Sequence, residues 1–539
     1  MKRKIGCLIG WAALLLLTEY VLLVPLNLTA VSFWVLVLCF GTMLLLILNL
    51  PAETKSGEGK EENGNEKVVI LRSSFNRKMQ PPAGEELNLR LPILFGMGGA
   101  AFLIAAWFFS SPLFHAKNYA STIGEIQTIS FEEARPEVDS VSNIALIDTA
   151  TASRIGAREL GSLEDVVSQF DDGAYTQITY RGKVRKDAVV DYDGFFKYLN
   201  NRKNGTPGYL IIDPISGSAE LIRTETGIYY TPGAYFSKDI LRHIRMQYPL
   251  CLFGRTSFEI DEDGKPFWVT QIQKNQVFLR NPKTTGIILT SALTGESQRY
   301  TVEEVPEWVD TVFDGDYVCE KYDYYGMLSG GFWNSRFGKR GCRISTKCSY
   351  VDEDGERVDG ADFGYISDDR DIWIYTGVTS ATSQDRSDIG MLMVNGRTGE
   401  AVYMTLAGAD ESSAMAAAEG ELQQYGYTAS FPSIINVDGA PAYIMVMTDN
   451  NRIVKNYAMV NMQNYAQVVT GDTQNEVFRK YRKLVSRGKE GASLSEDGVK
   501  DETLSQDKIL SALYGTDEGG HFLELTFQDG SAMKYYMAD

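Results

Sequence analysis

The sequence predicts an α+β protein: three N-terminal transmembrane helices, then a duplicated helix-on-antiparallel-sheet region outside the cytoplasm. Three observations predict it. First, three apolar runs, 5–26, 27–50 and 91–114, are each long enough to cross the hydrocarbon core of a bilayer. Second, two stretches carry one hairpin signature. FEIDEDGKPFWVTQI holds Asp263, Gly264, Pro266, Trp268 and Val269; IINVDGAPAYIMVM holds Asp438, Gly439, Pro441, Tyr443 and Ile444. Asp-Gly between alternating apolar runs marks a hairpin, because glycine takes up the positive φ the turn needs. Third, glycine landmarks recur in order. Gly217 and Gly399 lie 182 residues apart, Gly264 and Gly439 175, and Gly295 and Gly471 176. Three landmarks displaced by nearly one distance point to an internal duplication.

Lys2, Arg3 and Lys4 precede the first run. The connector VPLN carries no Lys or Arg, whereas the next connector holds Lys55, Lys60, Lys67, Arg72, Arg77, Lys78 and Arg90. The positive-inside rule then makes 1–50 a two-helix transmembrane hairpin, 51–90 a cytoplasmic loop and 91–114 a third span, with everything after it outside. A cleaved signal peptide is disfavoured, since no small-residue cleavage site follows the first run and a second apolar run begins at once. In the third span, GMGGAAFLIAA pairs Gly96 with Ala100 and Ala101 with Ala105. Such small-residue spacing serves either self-association or packing on the first two spans. Glu19 lies toward the outer end of the first span, where interfacial exposure is the plainer explanation for an ionisable group.

Residues 115–205 form the N-terminal part of the outer domain. EVDSVSNIALIDTATASRIGARELG reads as loop and helix, YTQITYRGKVRKDAVV as a strand pair around Arg181 and Gly182, and DYDGFFKYLNNR as a short helix. The first module, 206–313, runs strand, turn at Ser216 and Gly217, strand, helix (YFSKDILRHIRMQY), hairpin, strand and a second helix (EEVPEWVDTVF). The second module, 386–487, repeats this order. ADESSAMAAAEGELQQYG is its helix, closed by Gly426, and TQNEVFRKYRKLV its last, with Thr473 as N-cap. A hairpin alone is marginal in water, and a helix on its apolar face lets it stand. Residues 488–539 read as a polar linker, SRGKEGASLSEDGVKDETLSQDK having begun after Val485, and a closing hairpin around Asp529 and Gly530.

Between the modules, 314–385 is an aromatic and acidic insert. KYDYYGMLSGGFWNSRFGKRG sets Tyr322, Tyr324, Tyr325, Phe332, Trp333 and Phe337 among glycines. These rings could form a surface for glycan or peptide, or plug the seam between the modules, which is the plainer reading. Tyr322, Tyr324, Tyr325 and Trp333 are the candidate binding residues. VDEDGERVDGAD offers Asp352, Asp354, Asp359 and Asp362 as oxygen ligands, but the calcium-loop spacing fails and an Asp-Gly hairpin fits better.

The chain carries 52 Lys+Arg and 70 Asp+Glu. Beyond residue 113 the balance is 42 against 62, which repels nucleic acid and excludes a DNA- or RNA-binding role. Cys251, Cys319, Cys342 and Cys348 lie outside the spans, and Cys342 and Cys348 could close a small loop. The spacings do not suit zinc, and no metal or cofactor is expected. The three histidines, His115, His243 and His521, sit in no hydrolase or metalloprotease motif. A Ser-His-Asp site through His243 stays open, though flanking Arg242 and Arg245 suggest an ordinary helix surface. The catalytic residues are therefore unassigned, and a non-enzymatic role is preferred.

The strand, Ser/Thr-Gly turn, strand, helix and Asp-Gly-x-Pro-aromatic hairpin around Gly217, Gly264, Gly295, Gly399, Gly439 and Gly471 resemble PepSY-type modules. YDYYGMLSGGFWNS, WIYTGVTS, SAMAAAEG and VKNYAMVNMQNY are similar to uncharacterised membrane proteins of Gram-positive bacteria. That resemblance implies a multi-pass cell-membrane protein with a large extracellular C-terminal domain. It implies interaction or scaffolding at the envelope, through an envelope protein partner or self-association by the third span. An envelope hydrolase or glycan-binding protein using 322–371 is the alternative.

Overall fold

The computed structural model describes residues 2–50, 89–142, 144–351, 357–368, 371–382, 387–496, 509–517, 520–527 and 532–536. It is a mixed helix and sheet protein. Three N-terminal helices, Lys2–Leu22, Val31–Leu48 and Arg90–Phe109, are long and apolar enough to cross a membrane. The second and third pack at close range. A Cβ on Gly99 would stand 1.8 Å from Leu38, and one on Gly41 2.8 Å from Phe95, so bare backbone sets their approach. Ala101 and Ala105 remain exposed. The Cys7 and Cys39 thiols, also on these helices, are free.

The chain divides into a unit of Met1–Tyr481 and a unit of Arg482–Asp539. Past the apolar helices, the first unit holds two stretches, here called rounds, in each of which a helix and a sheet are followed by another helix and a meander. The helix Thr149–Gly161, capped by Asp148 accepting from the Thr151 N–H at 2.7 Å, covers an antiparallel sheet. That sheet orders Phe170–Asp172, Lys183–Tyr192, Thr206–Ile212 and Ala219–Ile228, with Thr176–Tyr180 also on the second strand. The strands on either side of residue 205 thus share one sheet. The helix Ile240–Gln247 follows, then a four-stranded meander, Leu252–Ile260, Pro266–Val277, Arg280–Ser291 and Ser297–Thr301. Ile240 and Ile244 bury among Tyr209, Phe258, Trp268 and Ile288, where sheet and meander face each other.

The second round begins with the helix Gly315–Leu328, N-capped by Asp314. It lies on a sheet of Arg343–Ser345, Asp371–Ser380, Gly390–Asn395 and Ala401–Met404, with Gly364–Asp368 also pairing on the second of these. The edge is closed by Ile126–Ile129, parallel to Ala401–Met404. That parallel strand departs from the all-antiparallel expectation; it is supplied by a segment some 275 residues earlier in the chain. The helix Glu411–Glu421 and a second meander through Ser433–Val437, Ala440–Thr448, Val454–Asn461 and Val468–Gly471 complete the round.

Both Asp-Gly stretches are hairpin turns, of different size. Val437 pairs with Ala440, leaving only Asp438 (φ 51°) and Gly439 (φ 80°) between the strands, a two-residue turn with both φ positive. In the other, Ile260 pairs with Pro266. The five intervening residues are held by Asp261, whose carboxyl accepts the N–H groups of Asp263 and Lys265. The strands flanking the VDEDG stretch of the insert pair as the hairpin expectation requires: Lys347–Val351 runs antiparallel to Arg357–Ala361. The turn itself, with Asp352 and Asp354, lies outside the described residues.

Two expected elements differ. EEVPEWVDTVF is not an α-helix: a 3-10 turn at Val302–Glu304 gives way to an irregular strap. Pro306 has no N–H to donate, and the strap's own N–H groups are claimed elsewhere, as described below. Conversely, Gln474–Glu496 continues as helix eleven residues past Val485, into the stretch expected to be linker. Its Thr473 cap is as anticipated, with the Glu476 N–H donating to the Thr473 hydroxyl at 3.2 Å. In the second unit, Ile509–Asp517, Gly520–Phe527 and Ala532–Tyr536 form a three-stranded antiparallel sheet; Asp529 and Gly530 lie outside the described residues.

Candidate functional site

The strap 310–313 is where the two rounds of the first unit join. Its Asp310 and Thr311 N–H groups donate to the Glu259 carboxyl at 2.8 and 3.0 Å. The Val312 and Phe313 N–H groups donate to the Gly396 carbonyl at 3.0 and 2.8 Å. Gly396 belongs to the turn that also seats Arg397, whose guanidinium grips Asp371 with two bonds of 2.8 and 3.0 Å. Asp314 then caps the Gly315–Leu328 helix with one oxygen and accepts from Gln271 with the other at 2.9 Å. Four residues of irregular chain thus knit a strand of the first meander to a turn of the second sheet.

Cavities lie along this joint. One of about 370 Å³ is lined by Thr122, Lys283, Glu303, Phe313, Tyr317 and Thr398. A smaller one, about 150 Å³, is walled by Gln177, Arg255, Asp310, Tyr365 and Ile372. A more polar cleft of about 390 Å³ holds Glu262, Glu307, Trp308, Asp371 and Arg397.

Behind the smaller cavity sits a group of buried acids. Asp187, Glu259 and Asp310 are all buried. Asp310 accepts from the Thr179 N–H with one oxygen and leaves the other unpartnered; both oxygens of Asp187 are unpartnered. Burial drives all three carboxyls upward. Mutual repulsion adds to this for Asp187 and Asp310, while the two N–H donors hold Glu259 back to about 7. Asp187 and Asp310 thus hold their protons well above the ordinary carboxylate range. Nearby, burial lowers the Lys186 ammonium to about 8, against the pull of Asp148.

A comparable set lies under the second round. Glu411 accepts from the Gly377 N–H at 2.8 Å and the Thr346 hydroxyl at 3.2 Å. Asp388 accepts from the Tyr443 hydroxyl at 3.3 Å. Burial, reinforced by neighbouring acids, raises Glu411 to about 8 and Asp388 to about 10. Chemically, both sets store protons and fasten chain segments.

His243 has its Nε2 2.7 Å from the Gly295 carbonyl oxygen. The Gln247 amide nitrogen lies 2.7 Å from the same Nε2, so two neighbours hold the ring in place. The ring packs on Tyr230 at 4.4 Å. Cys251, Cys319 and Cys342 are free thiols, so the small loop envisaged for Cys342 is not closed; Cys348 lies outside the described side chains.

The four candidate aromatics do not share one surface. Tyr322 is wholly buried beneath the second sheet with Val318, Ile374 and Leu392. Tyr325 is half-buried beside it, and Arg343 lies between Tyr325 and Tyr403, 4.4 Å from the latter ring. Tyr324 points another way, edge-on to Tyr119 at 5.0 Å, its hydroxyl on Glu320. Trp333 stands 65% exposed, stacked at 5.8 Å and 13° on Phe337, itself 80% exposed. A single π-turn, Asn334–Gly338, presents the pair. Asn334 locks the turn by accepting from the Arg340 N–H and donating to the Arg340 carbonyl.

Sequence reasoning missed the buried acids. In a chain with 70 Asp+Glu no single carboxylate stands out. The usable signal was position: Glu259 sits between Phe258 and Ile260, in a strand end that is buried on both faces.

No family model matches the chain, and no curated protein matches it. Among solved structures, a GH43 β-1,3-galactosidase with galactodeoxynojirimycin aligns at 12% identity and a TM-score of 0.18, over 58% of this chain and 80% of that one. A chimera of ACO and RPE65 aligns at 10% identity and a TM-score of 0.18, over 56% of this chain and 61% of that one. Scores so low describe neither the fold nor the chemistry of this chain.

Proposed function

We propose that this chain is a membrane-anchored interaction or scaffold protein of the bacterial envelope, with the domain after residue 114 outside the cytoplasm. The observation that carries the interaction role is the exposed stack of Trp333 on Phe337. Two large rings held out on an Asn334-locked turn forgo burial that the core would reward, which marks a contact surface. Exposed Arg336, Lys339 and Arg340 flank them on an otherwise acidic domain. The partner that fits is a protein with an acidic, partly apolar face.

The outside location is supported by the Lys and Arg of 51–90 against none in VPLN. An ancestral duplication, with modules of PepSY type, is supported by Gly217 and Gly399, and Gly264 and Gly439, each taking a positive φ in a turn between strands, and by the succession of helix, sheet, helix and meander that occurs twice. Exposed Ala101 and Ala105 leave the third span a face for self-association.

Photocrosslinking from position 337 in intact cells tests the role. Discrete protein adducts that disappear with Trp333→Ala are expected. Retention of the full chain on cell-wall glycan, lost with the same substitution, would favour the glycan-binding alternative instead. A C-terminus protected from external protease in intact cells would sink the topology.

A further inference from the structure

A second exposed aromatic group lies on the first round, away from the Trp333 turn. Phe195 contacts Phe196, Tyr235 and Phe236 at centroid distances of 5.7, 4.9 and 6.4 Å. Phe196 is 78% and Phe236 52% exposed; Met246 and Leu250, nearby in sequence, are also exposed. Phe236 holds φ at 59°. A bulky side chain rarely accepts that left-handed backbone, so the strain is retained for where it points the ring.

This ledge is fastened to the outer ends of the first two apolar helices. Arg242 donates through Nε to the Tyr20 carbonyl at 3.1 Å and through Nη1 to the Phe236 carbonyl at 3.0 Å, and it lies 4.7 Å from the Tyr20 ring. The Leu26 N–H donates to the Pro249 carbonyl at 2.8 Å, and Asn27 donates to the Leu250 carbonyl at 2.8 Å. The depth of the ledge is thereby set by 20–27, where the chain passes from one apolar helix to the next. That is the level of lipid headgroups, where amphipathic aromatic rings concentrate.

Charge agrees. Residues 194–203 carry Lys197, Arg202 and Lys203 with no acid, and 234–248 add Lys238; Arg242 pairs with Asp239, and Arg245 is buried. Asp193, just outside, pairs with Lys197. Against the acidic remainder of the domain, this face is basic, and basic residues near the surface draw anionic headgroups.

We propose that the ledge of Phe195, Phe196, Tyr235 and Phe236 inserts into the headgroup region of an anionic lipid leaflet, laying the domain on the membrane beside its own anchor. The proposal rests on the membrane-spanning reading of the three helices.

The full chain in nanodiscs of phosphatidylglycerol and phosphatidylcholine, doped with a lipid bearing an acyl-chain diazirine, tests it. After photolysis, peptides containing Phe196 and Phe236 are expected to carry label about fivefold above the peptide containing exposed Tyr425. Phe196→Ser with Phe236→Ser is expected to remove that excess while the Val31–Leu48 helix stays labelled. In phosphatidylcholine alone, ledge labelling is expected to fall about twofold to threefold; an unchanged level would overturn the preference for anionic lipid. Ledge peptides at the Tyr425 level with labelled helices would overturn the proposal and leave the anchor intact. Unlabelled helices would overturn the anchor, and the proposal with it.

Discussion

The Asp310 N–H donates to the Glu259 carboxyl at 2.8 Å, and both acidic side chains are buried at that contact. The bond fastens the strap between the two rounds, yet it assembles carboxyls that cannot all ionise in one dry site. Asp187, with no partner for either oxygen, completes the conflict. The result is a raised hold on the proton at all three carboxyls.

A pH dependence follows from these raised carboxyls. An unfolded carboxyl titrates near 4, whereas Glu259 holds its proton to about 7 and burial with mutual repulsion raises Asp187 and Asp310 well above the ordinary range. Between those limits the folded chain binds more protons than the unfolded one, so stability is fully present below about pH 4 and falls as pH rises through 7. Asp187→Asn removes one ionisable group without removing any hydrogen bond to its carboxyl oxygens. Denaturant unfolding is expected to show the variant matching the parent near pH 4.5 and exceeding it by about 1–3 kcal/mol near pH 8. A parent whose stability climbs from pH 5 to 8 would contradict the assignment.

The second acid set depends on Gly377. A Cβ there would stand 2.7 Å from both Asp388 oxygens and 2.8 Å from Glu411 Oε2. Gly377→Ala must push the acids apart or bend the strand Asp371–Ser380. Overpacking of this kind costs about 1–3 kcal/mol. Thermal unfolding of the full chain is expected to come several degrees lower, and an unshifted midpoint would mean the acids are free to move.

The candidate aromatics separate by stability. Tyr322→Ala empties a site that is wholly buried and is expected to cost about 3–5 kcal/mol. Tyr322→Phe should be near neutral, since the buried hydroxyl has no partner to lose. Trp333→Ala should leave stability within about 0.5 kcal/mol, because its ring faces solvent. Chemical denaturation of the three variants checks the order; a Trp333→Ala loss comparable to Tyr322→Ala would place that ring in the core.

These residues also show how far the sequence could be read. The Asp-Gly hairpins and the Thr473 cap were legible because their signals are local. Tyr322 and Trp333 share a glycine-dotted stretch, but one lies within a helix and the other just after it. Only the packing partners Ile374 and Leu392, some 50 and 70 residues on, separate core from surface. The stretch 303–313 has helical composition, yet the N–H groups of 310–313 serve Glu259 and Gly396, contacts no window of sequence contains. The helix beyond Val485 is Ser- and Gly-rich, and its composition hid it. The edge strand Ile126–Ile129 pairs across most of the domain, which periodicity cannot foresee.

Arg242 joins the helix Ile240–Gln247 to the first apolar helix. Its guanidinium bonds the Tyr20 and Phe236 carbonyls at once and lies over the Tyr20 ring. A lysine keeps the charge but lacks the planar fork that spans both carbonyls and stacks. Arg242→Lys and Arg242→Ala are therefore both expected to loosen the helix Ile240–Gln247, the lysine only slightly less. Amide hydrogen exchange of the full chain in nanodiscs reads this directly. Protection should fall by about tenfold across 240–247, equivalent to a local opening easier by about 1.4 kcal/mol. The helix Glu411–Glu421, which has no contact with Arg242, should keep its rates. If Lys restored full protection, the charge alone would hold the joint; if Ala changed nothing, the bonds to Leu26 and Asn27 would suffice without it.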